Sequence, residues 1–535
     1  MTTTESPGGN SDEANLPRTA LIVLAAGAGT RMKSELAKPL HPVAGLPMVE
    51  HVLRAGRAID PDWIVLLASP QVETHINLLN REDLIVVYAP PRGTGDAVRV
   101  ALDAVPDADR AVVLYADHPL LDGETVQKLA EAGSQPGVRA AMLTYLVDDA
   151  GSYGRIDRDD KHRPTRIVEK KDDRDDQRLG ETEINLGMMA LDARWARQEL
   201  AALEPNPITK EWYLTDLIER AVRSATPDSP WPVVTVPGSD EAAMGVNDRV
   251  QLAEAEAVLF ARTRRELMLS GVTIQLPETV LVEDDVVVGH DTTILPGTQL
   301  RNGTRIGAGC DIGPNTIIQR STIGDRVRVI ASVVCDAVID SDSDVGPFAH
   351  IRGGTEIASR VHIGNFAELN RSRIASGVKI GHVSYLGDAT IGASTNIGAG
   401  TITANYDGKQ KHQTEIGAGV FIGSDTMLVA PVSVGDGART GAGAVVTRDV
   451  APGDTVVGVP ARPRSAAGTS NHGNEDRERG WKGDCRSLRE THIRGWRRRS
   501  CRRWKRRSGA PSSVNGRMAK PASSSMRMCA VPTSS

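Results

Sequence analysis

Val282, Val288, Ile294, Leu300, Ile306, Ile312 and Ile318 fall at every sixth residue, and Ile416, Ile422, Leu428, Val434, Thr440 and Val446 repeat the pattern, often with Gly next. A period of six matches neither the 3.6 residues of a helical turn nor the alternation of a half-buried strand. It predicts a β-helix of hexapeptide repeats, in which each coil has three short parallel faces and each face sends one aliphatic side chain into a narrow prism. The glycine that follows is expected to permit the corner backbone. Between the two runs the register slips, and residues 401–414 interrupt it with a polar excursion. Loops that leave a solenoid at one face commonly contribute to a site.

The rest of the chain is organised differently. Over residues 18–247, short apolar runs at 20–24, 63–67, 84–88 and 111–115 read as buried strands, and they alternate with helical patterns. That alternation predicts an α/β domain with a mostly parallel, Rossmann-like sheet. Residues 248–271 read as a linking helix ended by Gly271, and 272–464 as the β-helix. Residues 1–17 and the Arg-, Ser- and Gly-rich stretch 465–535 are expected to be disordered. The tail's run Arg502-Arg503-Trp504-Lys505-Arg506-Arg507 also has the composition of an RNA- or lipid-binding segment. A net charge of −5 gives no reason to expect a nucleic-acid or membrane partner for the whole chain. The five cysteines contain no Cys-x-x-Cys pair, which argues against a disulfide framework or zinc site. No signal peptide or membrane-spanning run is apparent, so the expected location is the cytoplasm.

The strand at 20–24 leads directly into Leu24-Ala25-Ala26-Gly27-Ala28-Gly29-Thr30-Arg31-Met32 and then Lys38-Pro39-Leu40. Small residues let the backbone approach a triphosphate whose charge Arg31 and Lys38 can meet. A plain strand-to-helix turn reads the same way on its own. Two further loops strengthen the reading: Gly93-Thr94-Gly95 after the run at 84–88, and Tyr115-Ala116-Asp117 after the run at 111–115. Ligands of open α/β sheets sit beyond the carboxyl ends of the strands, where all three loops would converge.

The ordered motifs Leu-Ala-Ala-Gly-x-Gly-Thr-Arg-Met, Lys-Pro-Leu-His, Gly-Thr-Gly, Asp-x-Pro-Leu, Tyr-Gly-Arg-Ile, Val-Glu-x-Lys, Glu-Ile-Asn, Leu-Thr-Asp and Gly-Val-Asn-Asp-Arg precede the hexapeptide repeats. Over roughly residues 18–460 the chain resembles the bacterial bifunctional uridylyltransferase/acetyltransferases that make UDP-N-acetylglucosamine, a precursor of peptidoglycan and lipid A. The resemblance implies a left-handed β-helix and a homotrimer. It also implies that Leu24, Ala25, Ala26, Gly27, Tyr88, Gly93, Thr94 and Tyr115 hold UTP, that Arg31 and Lys38 act on its phosphates, and that Asp117 and Asn247 ligate Mg²⁺. Gly154, Glu169, Asn185 and Thr215 would line the sugar site. Caps are the alternative roles for Asp117 and Asn247. Tyr88, Ala116, Asp96 and Leu186 depart from the family pattern and bear on the choice of base and sugar rather than on phosphate and metal chemistry.

In the β-helix, Gly346-Pro347-Phe348-Ala349-His350-Ile351-Arg352, His382-Val383-Ser384-Tyr385-Leu386-Gly387-Asp388 and Asn405-Tyr406-Asp407-Gly408 resemble the acetyltransferase half. The resemblance makes His382 the general base towards the amine of glucosamine-1-phosphate, a role imidazole suits near neutral pH. Arg352, Asn370 and Lys411 fall on the sugar phosphate, with Tyr385, Asn396, Asn405 and Tyr406 around the sugar. Asn405 and Tyr406 also border acetyl-CoA, beside Ser424 and Ala442, and Ser424 can donate to the oxyanion. The family has a lysine where Asn370 stands and an arginine where Gly458 stands; Arg371 and Arg462 are candidate replacements. The expected function is acetylation of glucosamine-1-phosphate followed by uridylyl transfer from UTP. The rivals are a nucleotidyltransferase whose β-helix is only a scaffold, and a non-catalytic binder of nucleotide sugars.

Overall fold

In the computed structural model, which describes residues 17–463 apart from 28, 70, 71, 73–81, 91, 152 and 174–178, the N-terminal apolar runs form one twisted sheet. Its strands are β1 (Thr19–Ala25), β2 (Trp63–Ala68), β3 (Leu84–Tyr88), β4 (Arg110–Tyr115), β5 (Ala140–Asp149), β6 (Arg155–Arg158), β7 (Pro164–Val168), β8 (Leu179–Asp192) and β9 (Val233–Pro237), in the order β9-β5-β8-β4-β1-β2-β3. Strands β4, β1, β2 and β3 are mutually parallel, whereas β8 runs antiparallel to both neighbours and also carries the hairpin β6–β7. The run at 84–88 was expected to be buried. It is instead the sheet's edge strand and only half-buried, with Tyr88 43% exposed, because β3 has a neighbour on one side alone.

Alternation along β1 builds the core on both faces. Ala20, Ile22 and Leu24 pack with Val98 and Leu102 of helix α2 (Thr94–Asp103), Trp195 of α4 (Ala193–Ala201) and Leu217 of α5 (Asp216–Arg223). Leu21, Val23 and Ala25 pack with Val49, Val52 and Leu53 of α1 (Met48–Gly56) and with Val126 and Leu129 of α3 (Gly123–Gly133). The result is helix, sheet, helix, with the strand ends of β4, β1, β2 and β3 opening on one edge. Helix α6 (Arg249–Leu269) then leads to the repeats, its first turn capped by Asp248, whose carboxylate accepts from Val250 N and Gln251 N.

The repeats form three sheets of 12, 10 and 9 short strands, all parallel except the last strand of the first, Arg462–Pro463, which runs antiparallel to its neighbour. Val282 pairs with Leu300 and Leu300 with Ile318, so each coil takes three hexads. All thirteen aliphatic or Thr positions of the two runs are buried in one column-filled core. Shorter coils pair Ile318 with Val334 and Val334 with Ile351, which is why the six-residue register slips. Thr403 pairs with Leu428 across the coil that carries the excursion.

The corner role expected of the glycines fits Gly313, which follows Ile312 and has φ +114°, but not Gly307. A Cβ on Gly307, which directly follows Ile306, would lie 2.7 Å from Gly324 C and 2.8 Å from Asp325 N, so the next coil's backbone excludes a side chain there. The left-handed corner comes later, at Gly309 with φ +66°. The chain divides into two units, residues 1–464 and 465–535. The second unit and residues 1–16 lie outside the described residues, and so do the expectations of disorder and of a basic binding segment. Among the described residues no helix is long and apolar enough to cross a membrane.

Candidate active sites

A cavity of about 540 Å³ opens at the carboxyl ends of β4, β1 and β2. It is lined by Leu24 and Ala25 at the end of β1 with Ala26 and Gly27 just after it, by Gly93 and Thr94 entering α2, by Tyr115 at the end of β4 with Asp117 beyond it, and by Arg31, Lys38 and Asn247. Gly93 has φ +110°, and a Cβ there would lie 2.4 Å from Trp212 O, so glycine is required. Gly95 N donates to Trp212 O (2.8 Å), and Trp212 N donates to Arg92 O (2.9 Å). These bonds bring Glu211 and Tyr213 into the lining as well.

At one end of this cavity, Lys38 Nζ donates to both Asp117 Oδ2 (2.6 Å) and Asn247 Oδ1 (2.9 Å), and Arg31 Nη2 reaches the same Asn247 oxygen (2.9 Å). Asp117 Oδ1 faces His118 Nδ1 at 2.9 Å. Burial would raise the Asp117 pKa, but the His118 and Lys38 contacts prevail and hold the carboxyl well below its ordinary range. Burial, with the Asp117 charge, pushes the Tyr115 phenol above its ordinary value, against a hydrogen bond with Thr94. Asn247 is not the N-cap of α6, since Asp248 holds that position, and the helix that follows Asp117, α3, is capped by Asp122.

The four expected sugar residues do not line this cavity. They form their own group: Asn185 N donates to Gly154 O (2.9 Å), and Thr215 Oγ1 donates to Glu169 Oε1 (3.0 Å). Leu214 N donates to Thr94 Oγ1 (3.1 Å), tying this group to the cavity wall. Tyr88 is not in the lining, being at the exposed end of the edge strand. Leu186 is a core residue, whereas Ala116 lines the cavity.

On the β-helix, His382 ends the strand Lys379–His382, and its Nδ1 contacts the side-chain oxygen of Asn365, its register partner on the preceding coil. An amide oxygen only accepts, so Nδ1 carries the hydrogen and the neutral ring keeps its lone pair on Nε2. Ile380 pairs with Ile397 and Ile397 with Ile422, while Gly423 N bonds Thr440 Oγ1. His382, Ser424 and Ala442 each stand two residues after a member of that column, so they share one prism edge. Tyr385 is register partner to Glu368, which accepts from Arg352 Nη1 (2.8 Å). Asn396 begins the strand paired with Lys379. Asn405 Nδ2 donates to Asp388 (2.5 Å), and Tyr406 bridges to Lys411 across the excursion. Asn370 is buried, with its carbonyl accepting from Asp388 N. Arg371 gives its fork to Asp388 at 2.7 and 2.7 Å. Arg462 lies on the final strand, paired with Val457.

Residues 21–163 match the MobA-like NTP transferase domain, and residues 285–320 and 413–448 match the bacterial transferase hexapeptide repeats. The bifunctional protein GlmU of Pseudomonas syringae pv. tomato is 43% identical over 450 residues, covering 84% of this chain and 97% of that protein. Those of Alkalilimnicola ehrlichii and Trichlorobacter lovleyi are 41% and 42% identical, covering 84% and 81% of this chain and 96% and 94% of theirs. The chain belongs to the GlmU family. It is a bifunctional enzyme, an N-acetylglucosamine-1-phosphate uridylyltransferase and a glucosamine-1-phosphate N-acetyltransferase. For a GlmU-family chain, four contributing residues carry no signal that was read in the sequence. His118 sits beside Asp117 in the motif itself, Glu211 and Tyr213 lie within three residues before Leu-Thr-Asp, and Asn365 is recognisable only once coil register is known.

Proposed function

We propose that the N-terminal cavity binds UTP with Mg²⁺, and that the His382 edge of the β-helix binds glucosamine-1-phosphate with acetyl-CoA. The observation that carries the first assignment is the Lys38 ammonium seated between Asp117 Oδ2 and Asn247 Oδ1. Two hard oxygens already converge on one cation, which is the donor chemistry Mg²⁺ accepts while keeping several waters. Bound there, Mg²⁺ supplies positive charge to the triphosphate. Arg31 and Lys38 turn their cations to the phosphates, and the backbone of residues 24–27 and 93–94 approaches them closely. The phosphate oxygen of N-acetylglucosamine-1-phosphate attacks the α-phosphorus in line, forming the new P–O bond as pyrophosphate leaves. Gly154, Glu169, Asn185 and Thr215 hold the sugar.

In the earlier step, the free amine of glucosamine-1-phosphate attacks the thioester carbon and His382 Nε2 takes its proton. Ser424 donates to the oxyanion, and the tetrahedral adduct collapses with loss of the CoA thiolate, which is then protonated. Arg352 and Lys411 hold the phosphate, Tyr385, Asn396, Asn405 and Tyr406 surround the sugar, and Ala442 borders the coenzyme. We assign the assembly as a homotrimer with acetyl-CoA sites between neighbouring prisms, and the location as the cytoplasm. The test is Mg²⁺ dependence: Asp117→Ala and Asn247→Ala raise the Mg²⁺ concentration for half-maximal pyrophosphate release at least about tenfold. An unchanged Mg²⁺ requirement contradicts the assignment.

A further inference from the structure

We propose that Arg155 is a positioning residue for the sugar phosphate in uridylyl transfer, acting through the three strands that carry the sugar residues; this rests on the sugar-site reading above. Arg155 opens β6, where it pairs with Val168 of β7 and with Ile184 of β8. Each of these three positions has a sugar-site residue as its chain neighbour: Gly154 before Arg155, Glu169 after Val168 and Asn185 after Ile184. One backbone position is therefore the common anchor of three contacts to the acceptor.

The side chain fixes the same group from the other end. Arg155 Nε and Nη2 donate to Asp173 Oδ2 and Oδ1 at 3.0 and 3.0 Å, and Nη1 contacts Asp157. Asp173 closes the turn Lys170–Asp172 that begins at Glu169, where Asp172 N donates to Glu169 O (2.9 Å). Glu169 is thus held on both sides, by the Arg155–Val168 pairing before it and by the Arg155 fork after it. A Cβ on Gly154 would lie 3.5 Å from both Glu169 carboxylate oxygens, so small movements of this turn are felt directly at the sugar group. The neighbouring pair Arg166–Asp157 is largely exposed on its Arg side, at 57%, and is worth little. The Asp173 side chain is only 1% exposed, which makes the Arg155 fork a buried, bidentate contact that depends on planar geometry. Arg155 does not itself line the nucleotide cavity, so its effect on the reaction runs through the residues it holds.

The experiment compares Arg155→Lys and Asp173→Asn in the full chain, with KM measured separately for N-acetylglucosamine-1-phosphate and UTP. The expected result is a rise of about tenfold in the sugar-phosphate KM, smaller than the ~10²-fold cost of a 1 Å misplacement. The UTP KM, kcat and acetyl transfer stay within about threefold. If Arg155→Lys does not fold, as judged by its melting curve, Asp173→Asn carries the comparison. An equal rise in both KM values, or no rise in either variant, overturns the proposal. Glu169→Gln and Asn185→Ala are run alongside. If they raise the sugar-phosphate KM while the Arg155 and Asp173 variants do not, this proposal alone falls. If they too leave it unchanged, the sugar-site reading itself falls.

Discussion

Gly93→Ala is expected to disable uridylyl transfer without touching acetyl transfer. Gly93 lines the nucleotide cavity with φ +110° and ψ 165°, a region essentially confined to glycine. An added Cβ would sit 2.4 Å from Trp212 O and 2.7 Å from Trp212 N, where carbon contacts need about 3.5 Å. Holding Ala in place costs about 1–3 kcal/mol of backbone strain. Relieving that strain moves the loop by about 1 Å and endangers the bonds Gly95 N to Trp212 O and Trp212 N to Arg92 O, each worth about 0.5–1.5 kcal/mol. Thr94 moves with it and loosens its bond from Leu214 N, which links the cavity to the sugar group. A 1 Å misplacement of positioning groups costs about 10²-fold in rate. Pyrophosphate release should therefore show kcat/KM for UTP reduced about 10²-fold, with CoA release in the same preparation unchanged. Activity within threefold of wild type would refute the argument that this loop position is fixed by Trp212.

The other expectations concern the prism, the metal and acid stability. Gly307→Ala puts a Cβ against the next coil's backbone, so overpacking should destabilise the β-helix by about 1–3 kcal/mol, read as a lowered melting temperature. Excess EDTA should abolish pyrophosphate release and leave CoA release intact, since the proposed acetyl transfer relies on the His382 imidazole and the Ser424 hydroxyl and calls on no metal. The Arg371 hydrogen bonds lower the Asp388 pKa, so their stabilisation is fully present above the unfolded carboxyl value of about 3.9 and is lost as pH falls through the lower folded value. The stability gap between wild type and Arg371→Ala, measured by urea unfolding, should be constant from about pH 5 to 8 and shrink below about pH 4.

What could be read from the sequence follows from the range of the interactions involved. The hexads were legible because a period of six is itself the coil geometry, and buried columns such as Ile294, Ile312 and Val329 require nothing more distant than the next coil. The glycine's reason was not legible, because Gly307 is demanded by Gly324 and Asp325, residues on the following coil. Five apolar residues at 84–88 read alike whether the strand is central or at an edge, and only the strand order places Tyr88 outside the cavity. The motif loops named Arg31, Lys38, Asp117 and Asn247 individually. Their meeting around the Lys38 ammonium and the Asn247 oxygen joins residues 209 and 216 positions apart, which no local pattern encodes.

The central claim is that one chain carries two separate active sites. Its most direct test measures pyrophosphate release from UTP with N-acetylglucosamine-1-phosphate, and CoA release from acetyl-CoA with glucosamine-1-phosphate, on wild type, Asp117→Ala and His382→Ala. The account predicts both activities in wild type, loss of pyrophosphate release alone in Asp117→Ala, and loss of CoA release alone in His382→Ala. Wild-type protein that releases no CoA, or either variant losing both activities while still folded, would contradict it.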